Sequence, residues 1–155
     1  MAEHKATIQW TNNGPDFLKG RYSREHTWTF DGGLTVPASS SPSVVPLPWS
    51  NAANIDPEEA YVASLSSCHM LTFLWFAGKA GFLLESYLDR AVGVMAKNER
   101  GAFWVSKVTL SPEIVWGGGK APTAAELEQL HHRAHEECFI ANSVKTEVVV
   151  AASSH

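Results

Sequence analysis

The stretch DPEEAYVASLSSCHMLTFLWFAGKAG, residues 56–81, decides the fold because it holds a helix start, a helix stop and an apolar surface between them. Asp56 offers a side-chain oxygen to the free N–H groups of a first turn, Pro57 suits the first helical position, and Glu59 completes a box-like cap. Gly81 can adopt the left-handed conformation that stops a helix, so the helix is predicted to run to about Ala80. Ala60, Ser64, Ser67, Cys68, Leu71 and Trp75 recur at three- or four-residue steps, and Val62, Leu65, Phe73 and Phe76 between them are apolar too. A helix apolar almost all round is expected to be buried almost all round. The small residues at 60, 63, 64 and 67 let another helix approach Cys68 closely. A domain of this size has few helices to surround this one, so a homodimer with a shared core is the economical arrangement.

Working outward, the chain reads as an α+β order. Upstream, WTFDGGLTV (28–36) is a strand, a tight turn at Asp31-Gly32-Gly33 and a second strand, with Trp28, Phe30, Leu34 and Val36 alternating. Residues 37–55 hold four of the eight prolines and are expected to be loop; so long a loop in a compact domain is expected to shape a pocket or reach a partner. Downstream, SYLDRAVGVMA (86–96) and AFWVSKVTLSPEIVW (102–116) read as two strands joined through KNERG and Gly101. A second helix is predicted from Thr123, with Glu126 closing a capping box, through LEQLHHRAHEEC. Leu127, Leu130, Ala134 and Cys138 share its apolar face, and VKTEVVVAA (144–152) reads as a last strand.

Composition narrows the function classes. A chain of 155 residues, 45% hydrophobic and 18% charged, suits one soluble globular domain spanning 1–155. The formal charge of −4, with scattered Lys and Arg, argues against a nucleic-acid partner. The amino terminus lacks the apolar core of a signal peptide, and the most apolar run, MLTFLWFAGKAGFLL, is short and contains Lys79. The expected setting is therefore the cytoplasm, away from membranes. No phosphate loop or dinucleotide fingerprint is present, so no cofactor is expected.

Cys68 and Cys138 are the only two cysteines. They form neither a disulfide scaffold nor a CxxC motif, and three readings follow: buried bystanders, two ligands of a metal, or a redox pair. His131, His135 and Cys138, at i, i+4 and i+7 on one helix, are compatible with converging on a metal, and His69 joins them if the helices touch. A metal-binding module is thus the alternative of a different class, beside a non-catalytic dimer that binds an apolar ligand. A run of histidines on an amphipathic helix is more often a solvated edge, and no metal is assigned.

DPEEAYVASLSSCHM, followed later by AHEECFIANSVKTEV, resembles the two signature segments of the OsmC/Ohr family of thiol-dependent hydroperoxide reductases, and the resemblance covers most of the chain. It implies an OsmC-like fold: antiparallel sheets packed around a long buried helix in an intertwined homodimer. It implies a peroxidatic cysteine at Cys68, a second, resolving cysteine at Cys138 and an acidic site residue at Glu58. The family's site arginine matches best at Arg24 in YSREHTWTFDGG, with Arg21 as the neighbouring alternative. The implied activity is a peroxiredoxin-like peroxidase acting on organic hydroperoxides in oxidative stress, with an external dithiol, such as a lipoyl protein, as reductant. His69 and the HHRAH run depart from the best-known members and suggest a separate branch.

The thiolate attacks the O–O bond, and an ordinary thiol, with a pKa of about 8.5, is mostly protonated at neutral pH. Cys68 lies about 18 Å along the helix from its N-cap, too far for the helix dipole, so a cation is needed. Arg24, held bidentately by Glu58, is the candidate. Since Glu58 is about 15 Å from Cys68 on the same helix, the pair either reaches back along the arginine side chain or comes from the other subunit. Leu71, Phe73, Trp75, Phe76 and the proline-rich loop are candidates for an apolar substrate pocket, though most of these aromatics are expected to be core.

Overall fold

The computed structural model describes residues 1–151; Ala152, the end of the expected last strand, lies outside them. The chain forms two units, Met1–Ala60 and the part from Tyr61 onward.

In the first unit, β1 (Ala6–Gln9), β2 (His26–Phe30) and β3 (Thr35–Ala38) form one antiparallel sheet in that order. Trp28 is the hub of its register, opposite Ile8 on one side and Val36 on the other. The predicted hairpin is present, with Gly33 at a φ of +88° that a residue bearing a Cβ would rarely adopt. β1, which the sequence reading passed over, completes the sheet. The proline-rich loop is held by side chains: Asn51 and Asn54 donate to Glu25 Oε1 at 2.8 and 3.3 Å, and the Asn51 N–H donates to the buried Ser39 hydroxyl. The bonds from the Asn51, Ser23 and Asn54 side chains hold the carboxyl of Glu25 below its ordinary range.

The long helix α1 spans Pro57–Lys79. Its cap is the predicted one: the Glu59 N–H donates to Asp56 Oδ1 at 2.7 Å, and Glu59 Oε2 accepts from the Asp56 N–H. Gly81 stands just past its end at a φ of +81°. The expected all-round burial is not found. Only the stripe Leu65, His69, Phe73 and Ala77 is buried, whereas Leu71 and Trp75 are each about 60% exposed. The described part of the chain has too few elements to cover 23 residues of helix on every side. By length and composition α1 could also cross a membrane, a test that the core helix of a soluble protein passes equally.

In the second unit the two expected strands each break in two. β4 (Leu84–Asp89) and β5 (Val92–Lys97) replace the first; β6 (Phe103–Leu110) and β7 (Pro112–Trp116) replace the second. β4 pairs with β7 in one sheet and β5 with β6 in another. The break is chemical: Asp89 Oδ1 takes the Ser111 N–H at 2.6 Å, its other oxygen takes the Ser66 hydroxyl of α1, and Pro112 has no N–H to continue the ladder. Alternation alone could not reveal it, since both halves alternate.

α2 (Ala124–Glu137) opens with the predicted Thr123–Glu126 capping box. β8 (Glu147–Val150) pairs in parallel with β6, an exception to the antiparallel expectation. Two apolar clusters result. Leu65 packs with Val108 and Leu110, while Phe73 and Ala77 pack with Phe82 and with Leu130 and Ala134 of α2. His69 stands on the α1 stripe between them.

Candidate active site

Cys68 projects from the middle of α1 and is half-buried; Cys138 is buried and 1% exposed. Both thiols are free, and each lies close enough to influence the other. Cys138 is the C-cap of α2, where the backbone leaves the helix. A tight turn then fixes it. The Ala141 N–H donates to Cys138 Sγ at 3.4 Å, the Asn142 N–H to the Cys138 carbonyl at 3.0 Å, and Asn142 Nδ2 to the carbonyls of Glu136 and Cys138. Burial, and next the neighbouring Cys68 thiol, push the Cys138 thiol up to about 11. Cys138 is therefore neutral at physiological pH. This pairs an accessible sulfur with a sequestered one, joined across two elements far apart in sequence.

Beside the thiols lies a second pair linking α1 and α2. His69 Nε2 and His131 Nδ1 share a hydrogen bond at 3.0 Å, with the rings stacked 12° from parallel. Phe73 stacks on His131 at 4.4 Å between centroids. The outer nitrogens, His69 Nδ1 and His131 Nε2, are buried and have no hydrogen-bond partner among the described residues. Burial holds both rings down to about 4, so both are neutral at pH 7. The expected histidine edge is thus divided: His132 and His135 are exposed, while His131 is core. Among the described residues no three of His, Cys, Asp and Glu gather closely enough to hold a metal ion.

Arg24 and Glu58 lie in the first unit, where they line one cavity of about 500 Å³ with Ile8, Trp10, Phe17 and Tyr22. The predicted bidentate ion pair is not formed. Arg24 Nη1 donates instead to the carbonyls of Gly20 and Tyr22 at 2.8 and 2.6 Å, and its guanidinium lies 3.7 Å over the Tyr22 ring. Two backbone acceptors so close at hand hold the head group away from the carboxylate. Arg21 is exposed and does not line this cavity. Trp10, Phe17 and Tyr22 pack on one another with centroids 4.6 to 5.7 Å apart. The sequence reading missed this aromatic wall; the clue was three large aromatics, at 10, 17 and 22, spread through the otherwise polar segment that leads to Arg24. Of the side chains considered for a substrate pocket, Phe73 is core and Leu71 and Trp75 are exposed.

The sequence model of the OsmC-like protein family matches residues 50–153, and the chain belongs to that family. Among solved structures it is similar to an OsmC-like protein of unknown function from Vibrio cholerae, at 55% identity and a TM-score of 0.94, over 97% of this chain and 99% of that one. It also shares its fold with an organic hydroperoxide resistance protein from Elizabethkingia anophelis, at 19% identity and a TM-score of 0.73, over 99% and 98% of the two chains. The organic hydroperoxide resistance protein OhrB of Bacillus subtilis has the same fold, at 19% identity and a TM-score of 0.66, over 98% and 97%. No curated protein matches.

Proposed function

We propose that this chain is a cytoplasmic, homodimeric thiol peroxidase that reduces organic hydroperoxides through Cys68 and Cys138. The observation that carries the reading is the half-buried Cys68 thiol beside the buried, neutral Cys138 thiol. The organic hydroperoxide resistance proteins that share the fold support the choice of substrate class.

The Cys68 thiolate attacks the terminal peroxide oxygen, the O–O bond breaks, and the alkoxide leaves as the alcohol after taking a proton from solvent; Cys68 becomes a sulfenic acid. The Cys138 sulfur then attacks the Cys68 sulfur. Hydroxide leaves and takes the Cys138 proton, giving water and a disulfide. Two electrons and two protons from an external dithiol, of the lipoyl kind, restore both thiols. A buried, protonated Cys138 suits this order, because it reacts with its neighbour rather than with peroxide. Arg24 supplies the positive charge for the thiolate and the leaving oxygen, and Glu58 adjusts that charge from the same cavity. With Arg24 bonded to two carbonyls, its remaining N–H groups are available to an oxygen ligand. Because helix rise puts Glu58 about 15 Å from Cys68, a second copy of the chain donates this pair.

The test is peroxide consumption. Reduced protein with a dithiol should remove cumene hydroperoxide, retain that activity after exhaustive chelation, and lose it in Cys68→Ser. No consumption by the wild type refutes the proposal, and loss on chelation moves the reading to a metal module. One observation favours a second reading, a non-catalytic binder of apolar ligands: the aromatic-walled cavity of about 500 Å³. That reading predicts ligand affinity without peroxide consumption, unchanged in Cys68→Ser.

A further inference from the structure

The His69–His131 contact is poor packing and good registration. It occupies the one position on the buried stripe of α1 that is not apolar, and it leaves two buried nitrogens without partners among the described residues. A pair of apolar side chains would fill the space without that cost. Apolar contacts are non-directional, so α1 and α2 joined only by Phe73, Ala77, Leu130 and Ala134 could slide or rotate with little penalty. A hydrogen bond between two ring nitrogens in a dry interior admits neither movement, because it tolerates only a few tenths of an ångström and a limited angle. Phe73 stacks on both rings and holds their planes. A disulfide needs comparable precision, with Cβ atoms about 3.5–4.5 Å apart.

We propose that His69 and His131 are positioning residues for the thiol pair: their hydrogen bond sets the register of α1 against α2 and so brings Cys138 onto Cys68. His69 directly follows Cys68 on α1, and His131 lies seven residues, two turns, before Cys138 on the same face of α2. The inference rests on the reading of the two cysteines as a redox pair. It adds that disulfide formation depends on two residues that touch neither peroxide nor reductant.

The experiment measures the equilibrium constant of the Cys68–Cys138 disulfide against dithiothreitol buffers, by alkylation and mass spectrometry, without peroxide. His69→Phe and His131→Phe keep a stackable ring and remove the hydrogen bond. Each should make the disulfide about tenfold or more less favourable. His69→Gln returns an amide nitrogen near the Nε2 position and His131→Asn one near Nδ1, and each should restore the constant to within about threefold. Thermal unfolding is recorded alongside. A purely structural role lowers the stability of the reduced and oxidised forms together and leaves this constant unmoved. Folded phenyl variants with wild-type constants overturn the proposal, as do amide variants no better than the phenyl ones. If a phenyl variant does not fold, His131→Asn is compared with His131→Gln, which carries its amide one bond too far; equal constants again overturn it. Wild-type protein that forms no disulfide in any buffer is a different failure, which removes the redox pair and the peroxidase cycle with it.

Discussion

At the scale of single residues, the two sulfurs should fail differently. Cys68→Ser removes the proposed nucleophile and should abolish peroxide reduction. Cys138→Ser should still allow one attack, leaving Cys68 as a sulfenic acid that excess peroxide carries to the sulfinic form, detectable by mass. Arg24→Ala should slow the single-turnover oxidation of Cys68 by on the order of a hundredfold, since it removes the charge proposed to stabilise the thiolate and the leaving oxygen. Arg21→Ala should leave that rate unchanged. A slow Arg21 variant beside a normal Arg24 variant would show that the cavity is not part of the site. The candidates Cys68, Cys138, Arg24 and Glu58 could be named from sequence because they lie in segments that resemble the family's signatures. The His69–His131 bond could not, because the two residues are 62 apart and only the packing of α1 on α2 joins them. The Arg24–Glu58 ion pair was expected and is absent for a related reason: the carbonyls that compete for the guanidinium are backbone atoms, which residue types do not reveal.

At the scale of elements, both helix starts were legible because caps are local chemistry. Asp-Pro-Glu-Glu and Thr-x-x-Glu each place an acceptor and its reciprocal partner within one turn. The strand breaks were not, since Asp89 acts on Ser111, a residue distant in sequence. Packing between elements gives a test at Gly93 of β5, where an added Cβ would stand 2.5 Å from Val62 Cγ2 of α1. Valine is stiff at χ1 and cannot swing clear, so Gly93→Ala should destabilise the fold by about 1–3 kcal/mol in denaturant unfolding. The histidine pair between α1 and α2 gives a second test. Burial holds both rings down to about 4 in the folded chain, against about 6.5 when unfolded. Between those values the unfolded chain binds more protons, so the contribution is complete above about pH 6.5 and is lost as pH falls toward 4. One such ring contributes on the order of 3 kcal/mol over that interval, and His69→Phe/His131→Phe should flatten the pH dependence there.

At the scale of the whole molecule, the apolar surface of α1 is the feature that one chain leaves unfinished. Leu71, Leu74 and Trp75 are exposed on it. All-round apolarity in the sequence implies burial and so a partner; within a single chain the same residues are an uncovered face. We therefore predict a dimer of the 16.9 kDa chain by sedimentation, and its dissociation in Leu71→Glu/Trp75→Glu. A stable wild-type monomer would contradict both the assembly and the donation of Arg24 from a second copy. In the proposed cycle the two thiols form one redox unit driven by peroxide. The most direct test mixes reduced protein with one equivalent of cumene hydroperoxide, quenches with an alkylating agent and weighs the product. The expected result is one equivalent of the alcohol and a Cys68–Cys138 disulfide that takes up no label; unreacted peroxide and two alkylated cysteines would contradict it.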